Sequence, residues 1–179
     1  MRTVKKDLHK DLFAAKSGLI IHSSALCDGS NVYLFGGVSG SGKSSIAKKM
    51  NGLMIPVNDE KNVLQFTDRG ITVSTYFTVD GSEEKQYLVN ENVTGILAKV
   101  FFIRKVFNEP SRSEVISDKA QIWKMLLKCV APPYFGEDHF FPNYLELIEK
   151  LIDSVPFFYF YFNISDNPEI LADIMRKKC

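Results

Sequence analysis

Cysteine is scarce in this chain: Cys27, Cys129 and Cys179 are odd in number, widely spaced and without a CxxC pair. That pattern suggests neither a disulfide framework nor a zinc knuckle, and the three read as ordinary thiols. Long apolar runs are also lacking. The longest uncharged apolar stretch, Val155–Ile164, is about half of what a membrane-spanning helix needs, so no membrane partner is expected. Neither sign of charge prevails, with 22 Lys and Arg against 21 Asp and Glu and a formal net charge of +1. A field able to hold nucleic acid over the whole surface is therefore missing, and no nucleic-acid partner is expected. No repeat period and no low-complexity tract appear, which removes solenoids and propellers. The basic N-terminus is interrupted by Asp7 and Asp11 and precedes no small-residue cleavage site, so a cytoplasmic rather than a secreted protein is expected.

What is present is an ordinary globular composition, 45% apolar and 24% charged in 179 residues. That is enough apolar surface for one core and too short a chain for two. Residues 1–17 read as a polar arm or short helix, and 18–179 as a single domain. Leu19–His22 with Ala25–Cys27, the turn Asp28-Gly29-Ser30-Asn31 and Val32–Phe35 predict a hairpin. Ser44–Met50 carries Ile46, Ala47 and Met50 at helical spacing and stops at Asn51-Gly52. Val63–Phe66 and Ile71–Phe77, around Thr67-Asp68-Arg69-Gly70, predict a second hairpin. Ile96–Val106 reads as a buried strand, Ser117–Val130 and Tyr144–Val155 as amphipathic helices, Phe157–Ile164 as an aromatic strand and Pro168–Lys178 as a last short helix. Strands and helices interleave, which makes the class α/β. The two hairpins argue for a mixed sheet.

The segment with chemistry in it is Gly37-Val38-Ser39-Gly40-Ser41-Gly42-Lys43-Ser44, followed by Ser45. It satisfies GxxxxGK[ST], lies after an expected strand and opens an expected helix. By usual residue frequencies such a match arises by chance in about one chain in a hundred of this length. Glycines suit a loop whose amides turn inward around phosphate oxygens, and the helix that follows adds unsatisfied N–H groups and the positive end of its dipole. Lys43 would bridge the β- and γ-phosphates of a nucleotide and the Ser44 hydroxyl would ligate Mg²⁺. The reaction itself depends on carboxylates, and Asp59 and Glu60 are the candidates. They follow Leu53-Met54-Ile55-Pro56-Val57, a segment expected to return the chain to the sheet edge near the phosphates, where an acid could hold the metal or accept a hydroxyl proton. A solvated Asn-Asp-Glu-Lys turn is the other reading of the same residues.

Ile21-His22-Ser23-Ser24-Ala25, the turn, Val32-Tyr33-Leu34-Phe35-Gly36-Gly37 through Ser44, and then Asn58-Asp59-Glu60 together resemble the catalytic domain of the HPr serine kinase/phosphorylase family. Leu97–Lys105 resembles a later strand of the broader HPr-kinase-like group more loosely. The resemblance implies a P-loop domain with a mixed sheet and flanking helices, related in fold to phosphoenolpyruvate carboxykinase. It implies transfer of a phosphoryl group from ATP, with Mg²⁺, to a serine hydroxyl of a protein or peptide, HPr being one such acceptor. By position, residues 37–45 would bind the nucleotide, His22 would lie near the phosphates, Lys43 and Ser44 would act on phosphate and metal, and Asp59 or Glu60 would be the base. Glu60 would otherwise join Ser44 at the metal. Ser45 stands where the family has Glu, and the family's Leu-Glu-x-Arg-Gly-x-Gly signature and N-terminal domain have no counterpart in these 179 residues.

Other features have a structural reading beside the functional one. His22 could be a core histidine bonded to backbone, and His9 and His139 have no ligand-like partner at metal spacing. The aromatics of 157–162 have no basic residue interleaved in sequence, so packing is expected there and not base stacking. Arg104, Lys105 and Arg112 could reach a transferring phosphoryl, but a solvated surface is expected. Tyr134–Pro142 has the composition of a lid or of a contact in a homo-oligomer. A GTPase is not supported, because no Asn-Lys-x-Asp motif is present. The alternatives to a serine kinase are a nucleotide-binding sensor or assembly module without transfer activity, and a small-molecule kinase.

Overall fold

Alternating apolar residues from Gly18 and a tight Asp28–Asn31 turn produce the expected hairpin, strands β1 (Gly18–Asp28) and β2 (Asn31–Gly36), with Ala25 opposite Leu34. The structure, a computed structural model, describes residues 11–76, 90, 92–132 and 141–177. Helix α1 (Lys43–Met50) leads to β3 (Ile55–Asn58), and the second hairpin is β4 (Lys61–Thr67) with β5 (Gly70–Thr75). Then come β6 (Gly95–Lys105), β7 (Arg112–Val115), α2 (Lys119–Leu126), α3 (Phe141–Ser154), β8 (Phe157–Phe162) and α4 (Pro168–Arg176).

The sheet is mixed, as expected. β2, β6 and β8 run parallel, and β7 closes one side antiparallel to β8. β1 is long enough to serve two sets of neighbours. Its first half pairs with β4, and its second half lies between β2 and β3, antiparallel to both. Because β5 also pairs with β6, the pairings β1–β2–β6–β5–β4–β1 close a ring.

Helices cover both faces of the parallel strands, which is why β6 reads as continuous apolar sequence and not as an alternation. On one face Phe35, Phe101, Phe158 and Phe160 pack against Ile46, Ala47 and Met50 of α1 and Leu171, Ala172 and Met175 of α4. Phe101 is fully buried, its ring stacked on Phe35 at 5.3 Å and edge-on to Phe160 at 5.3 Å. On the other face Leu34, Val100, Phe102 and Phe157 meet Ile122 and Leu126 of α2 and Leu147, Ile148 and Leu151 of α3. Buried Lys99 donates to the carbonyls of Met175 (2.8 Å) and Lys177, so a cation caps the negative end of α4. Among the described residues no helix is long and apolar enough to cross a membrane.

Several boundaries differ from the sequence expectation. The helix expected over 117–130 runs only from Lys119 to Leu126, because Val130 bridges to Ile21 and the Cys129 carbonyl accepts from the His22 amide, so tertiary pairing ends the helix early. The aromatic strand stops at Phe162, where Asn163 turns the chain: its amide donates to Ser111 Oγ and its side chain donates to the Phe107 and Glu109 carbonyls. Strand β7 was not expected at all; its Arg-Ser-Glu-Val sequence has no apolar alternation, and pairing with β8 supplies its order. Residues 11–14 are helical, with Leu12 and Phe13 buried. His9, His139 and most of the 134–142 segment lie outside the described residues; Phe141 and Pro142 begin α3. Cys27 and Cys129 are buried free thiols.

Replacing Phe101 by Ala removes the ring at the centre of this aromatic cluster and is expected to cost ~3–5 kcal/mol. A lower urea midpoint at unchanged slope would show it; a loss under ~1 kcal/mol would mean that the cluster contributes little.

Candidate functional site

β2 and β3 flank β1 and both oppose its direction, so their C-terminal ends emerge at one edge of the sheet. The glycine-rich loop leaves β2 there, and Asn58-Asp59-Glu60 leaves β3. Ligand sites in sheets of this kind lie outside the carboxyl ends of the strands. Gly42 is the N-cap residue of α1 with φ 111°, in the left-handed region. At Gly37, φ is 150°, and a Cβ would fall 2.6 Å from Ser41 Oγ, so any side chain there would collide with the loop's own turn. Lys43, only 6% exposed, folds back so that its ammonium donates to the carbonyls of Gly37 (2.8 Å) and Val38 (3.1 Å). Ser41 Oγ is a buried polar atom with no hydrogen-bond partner among the described residues.

A polar network holds the acidic turn. Asn58 Oδ1 accepts from the amides of Glu60 (2.8 Å) and Lys61 (3.2 Å), the pattern by which an Asn side chain imposes a turn. The Glu60 carbonyl accepts from the Ser23 amide, and Asn62 Nδ2 donates to the Ser23 carbonyl at 2.8 Å and Oγ at 3.0 Å and to the Asn58 carbonyl at 3.3 Å. Strand β1 therefore grips the turn through Ser23, next to His22. Asp59 is 4% exposed and Glu60 is half-buried, which overturns the solvated-turn reading.

His22, Ser39, Gly40, Gly42, Lys43, Ser44, Ser45, Asp59, Glu60 and Lys105 line one cleft of about 460 Å³. The candidate loop residues Gly37, Val38 and Ser41 face instead a neighbouring cavity of about 160 Å³ on the side of Phe102, Met125 and Cys129. Burial pushes the Lys43 ammonium below the ordinary lysine range. The His22 imidazole is also held below its ordinary value, first by burial, then by the Lys43 charge, while Glu60 pulls the other way. The lowered value favours the neutral imidazole, beside the Lys43 and Lys61 cations and the Glu60 carboxylate. Cys129 beneath the loop has its thiol pushed up by burial, against a hydrogen bond from the Gly37 backbone.

The cleft thus brings together His22, Lys43, Asp59 and Glu60, and the His22 main-chain amide donates to the Cys129 carbonyl. Lys105, the last residue of β6, is exposed as expected and also lines the cleft, which sequence reasoning underweighted. Its signal was available in the strand's alternation: Phe101, Ile103 and Lys105 share a face. Arg104 and Arg112 are elsewhere; they stack on Tyr159 (3.9 Å) and Tyr161 (4.0 Å), so bases absent between the aromatics in sequence are interleaved from neighbouring strands. Asn58, Asn62 and Ser23 were missed as supports. A buried amide beginning an otherwise apolar strand, Asn62 before Val63-Leu64, is the pattern that marks one.

No family model matches the chain, and no curated protein matches it. Among solved structures, the HPr(Ser) kinase/phosphatase from Coxiella burnetii aligns over 88% of each chain at 14% identity and a TM-score of 0.48.

The His22 environment sets a pH dependence. A depressed imidazole pKa makes its contribution to stability complete above ~6.5 and lost as pH falls through the lowered value, because the unfolded chain takes up the proton first. NMR titration of the His22 ring should give a midpoint below 6.5, and Lys43→Met should move it up; an unshifted midpoint in both proteins would contradict this electrostatic picture.

Proposed function

We propose that the cleft binds ATP with Mg²⁺ and transfers the terminal phosphoryl group to a serine hydroxyl of a protein or peptide acceptor, HPr being one candidate. The observation that carries this reading is a buried lysine ammonium and a buried aspartate carboxylate lining one cleft at the carboxyl ends of β2 and β3, the first inside a glycine-rich loop at a helix start.

Lys43 is held by two neutral carbonyls, and a polyphosphate oxygen, which is charged, is a stronger acceptor than either. Gly40 and Gly42 line the cleft with left-handed φ values of 77° and 111°, the backbone that a loop turning its amides toward an anion requires. Among the described residues no three His, Cys, Asp or Glu side chains cluster at metal distance. Ser44 and Glu60 line the same cleft and would hold Mg²⁺, which takes few protein ligands and completes its shell with phosphate oxygens and water. When bound, the ion would neutralise charge on the transferring group.

Asp59 accepts the proton of the acceptor hydroxyl as its oxygen bonds to the γ-phosphorus. The bond from that phosphorus to the bridging oxygen breaks, and the electron pair leaves with ADP.

Asp59→Asn is expected to lower transfer by ~100-fold or more while nucleotide affinity stays nearly unchanged; Lys43→Met should weaken nucleotide binding itself. Incubating the pure protein with γ-labelled ATP, Mg²⁺ and a lysate of its source tests the reaction. Mg²⁺-dependent labelling of a serine is the expected result. Tight nucleotide binding with no labelled product would overturn transfer in favour of a nucleotide sensor.

A further inference from the structure

Deepening the nucleotide reading, on which it rests, we infer that Lys105 is a second phosphate-binding cation: it closes on the terminal phosphate of the nucleotide from the β6 side of the cleft, while Lys43 holds the chain of phosphates from within the loop.

The placement is built by the fold. Lys105 ends β6, one of the parallel strands, at the edge where the cleft lies, and its backbone is paired with β8 opposite Phe162. The stem of the side chain crosses the loop: a Cβ on Gly42 would lie 3.3 Å from Lys105 Cε and 3.6 Å from Ile103 Cγ2. The left-handed Gly42 therefore serves two ends, starting the helix and leaving space for this lysine to pass over it. Its neighbour Arg104 points to the other face and is committed to Tyr159. Lys105 has no ion pair among the described residues, although Asp59 and Glu60 line the same cleft. Lys43, by contrast, is buried and already satisfied by carbonyls.

A flexible, solvated ammonium at the mouth and a buried one in the loop divide the work by position. The buried cation contacts any nucleotide that enters. The outer cation adds a charge-assisted contact only to a nucleotide whose chain extends to a third phosphate, and charge on the equatorial oxygens of that group is what phosphoryl transfer must stabilise. Lys105 would thus make the cleft discriminate triphosphate from diphosphate and help the product ADP leave.

Calorimetric titration of the full chain with ADP and with a non-hydrolysable ATP analogue, both with Mg²⁺, separates these contributions. Lys105→Met should weaken the analogue about tenfold and leave ADP within about twofold, with Lys105→Arg restoring most of the preference. Retained ADP binding reports an intact fold in the same experiment. An unchanged preference in Lys105→Met, or equal weakening of both ligands, overturns the role of Lys105 while leaving the nucleotide site standing. A wild-type protein that binds neither ligand overturns both.

Discussion

Everything at the cleft hangs on the pairing of β1. Its C-terminal half is hydrogen-bonded to β2 on one side and β3 on the other, both antiparallel to it. Strands in a sheet are about 4.8 Å apart, so the exits of β2 and β3 are separated by roughly two spacings, on the order of 10 Å. A loop that follows one exit and an acidic turn that follows the other must face each other across that gap. That separation is set by backbone pairing, which does not depend on the side chains that line the cleft. The sequence can therefore vary at the loop or the turn without losing the juxtaposition, whereas a register slip in β1 would lose it at once.

Burying charge at that edge has a cost, and the surrounding structure shows how it is met. Lys43, Asp59 and Asn62 are each withdrawn from water, which is unfavourable unless polar partners replace it. The Lys43 ammonium has two carbonyls, and the Asp59 turn has the Asn58 carboxamide and the Ser23 backbone. Beneath them lies a purely apolar layer in which Phe35, Phe101 and Phe160 are packed ring to ring. Rigid support of this kind is what allows a small number of charged groups to be held ready, because a side chain can be fixed only as firmly as the elements that bear it.

Much of this was legible in the residues. The two hairpins followed from β-branched and aromatic runs broken by Asp-Gly and Arg-Gly turns, and the glycine-rich loop and acidic pair stood out as chemistry with a spacing. Local patterns carry such information because they are decided by neighbours in the chain. The features that escaped are those decided by distant residues. Strand β7 is ordered by β8, the end of α2 by Ile21 and His22, and the interleaving of Arg104 with Tyr159 by strand adjacency. Whether Asp59 lay in solvent or in a wall of the cleft was also undecidable from its neighbours, since it is Asn62 and Ser23, on other strands, that draw the turn inward.

The position of Lys105 shows how a small backbone irregularity determines which side chain reaches a site. In the pairing of β2 with β6, Val32 is opposite Leu97 but Tyr33 is opposite Lys99, so Ala98 is an extra residue in β6. Regular alternation would put Leu97 and Lys99 on the same face. Instead Leu97 packs with α2 and α3, while Lys99 reaches over to cap α4. Beyond the bulge the odd-numbered residues Phe101, Ile103 and Lys105 share the face of α1, and the even-numbered Phe102 and Arg104 take the other. Were Ala98 paired regularly with Tyr33 instead of bulged, the same sequence would present Arg104 to the cleft and leave Lys105 among the surface tyrosines, and Phe101 would leave the aromatic layer. One bulge thus serves both the core and the cleft, which ties the cation at the mouth to the packing of the fold.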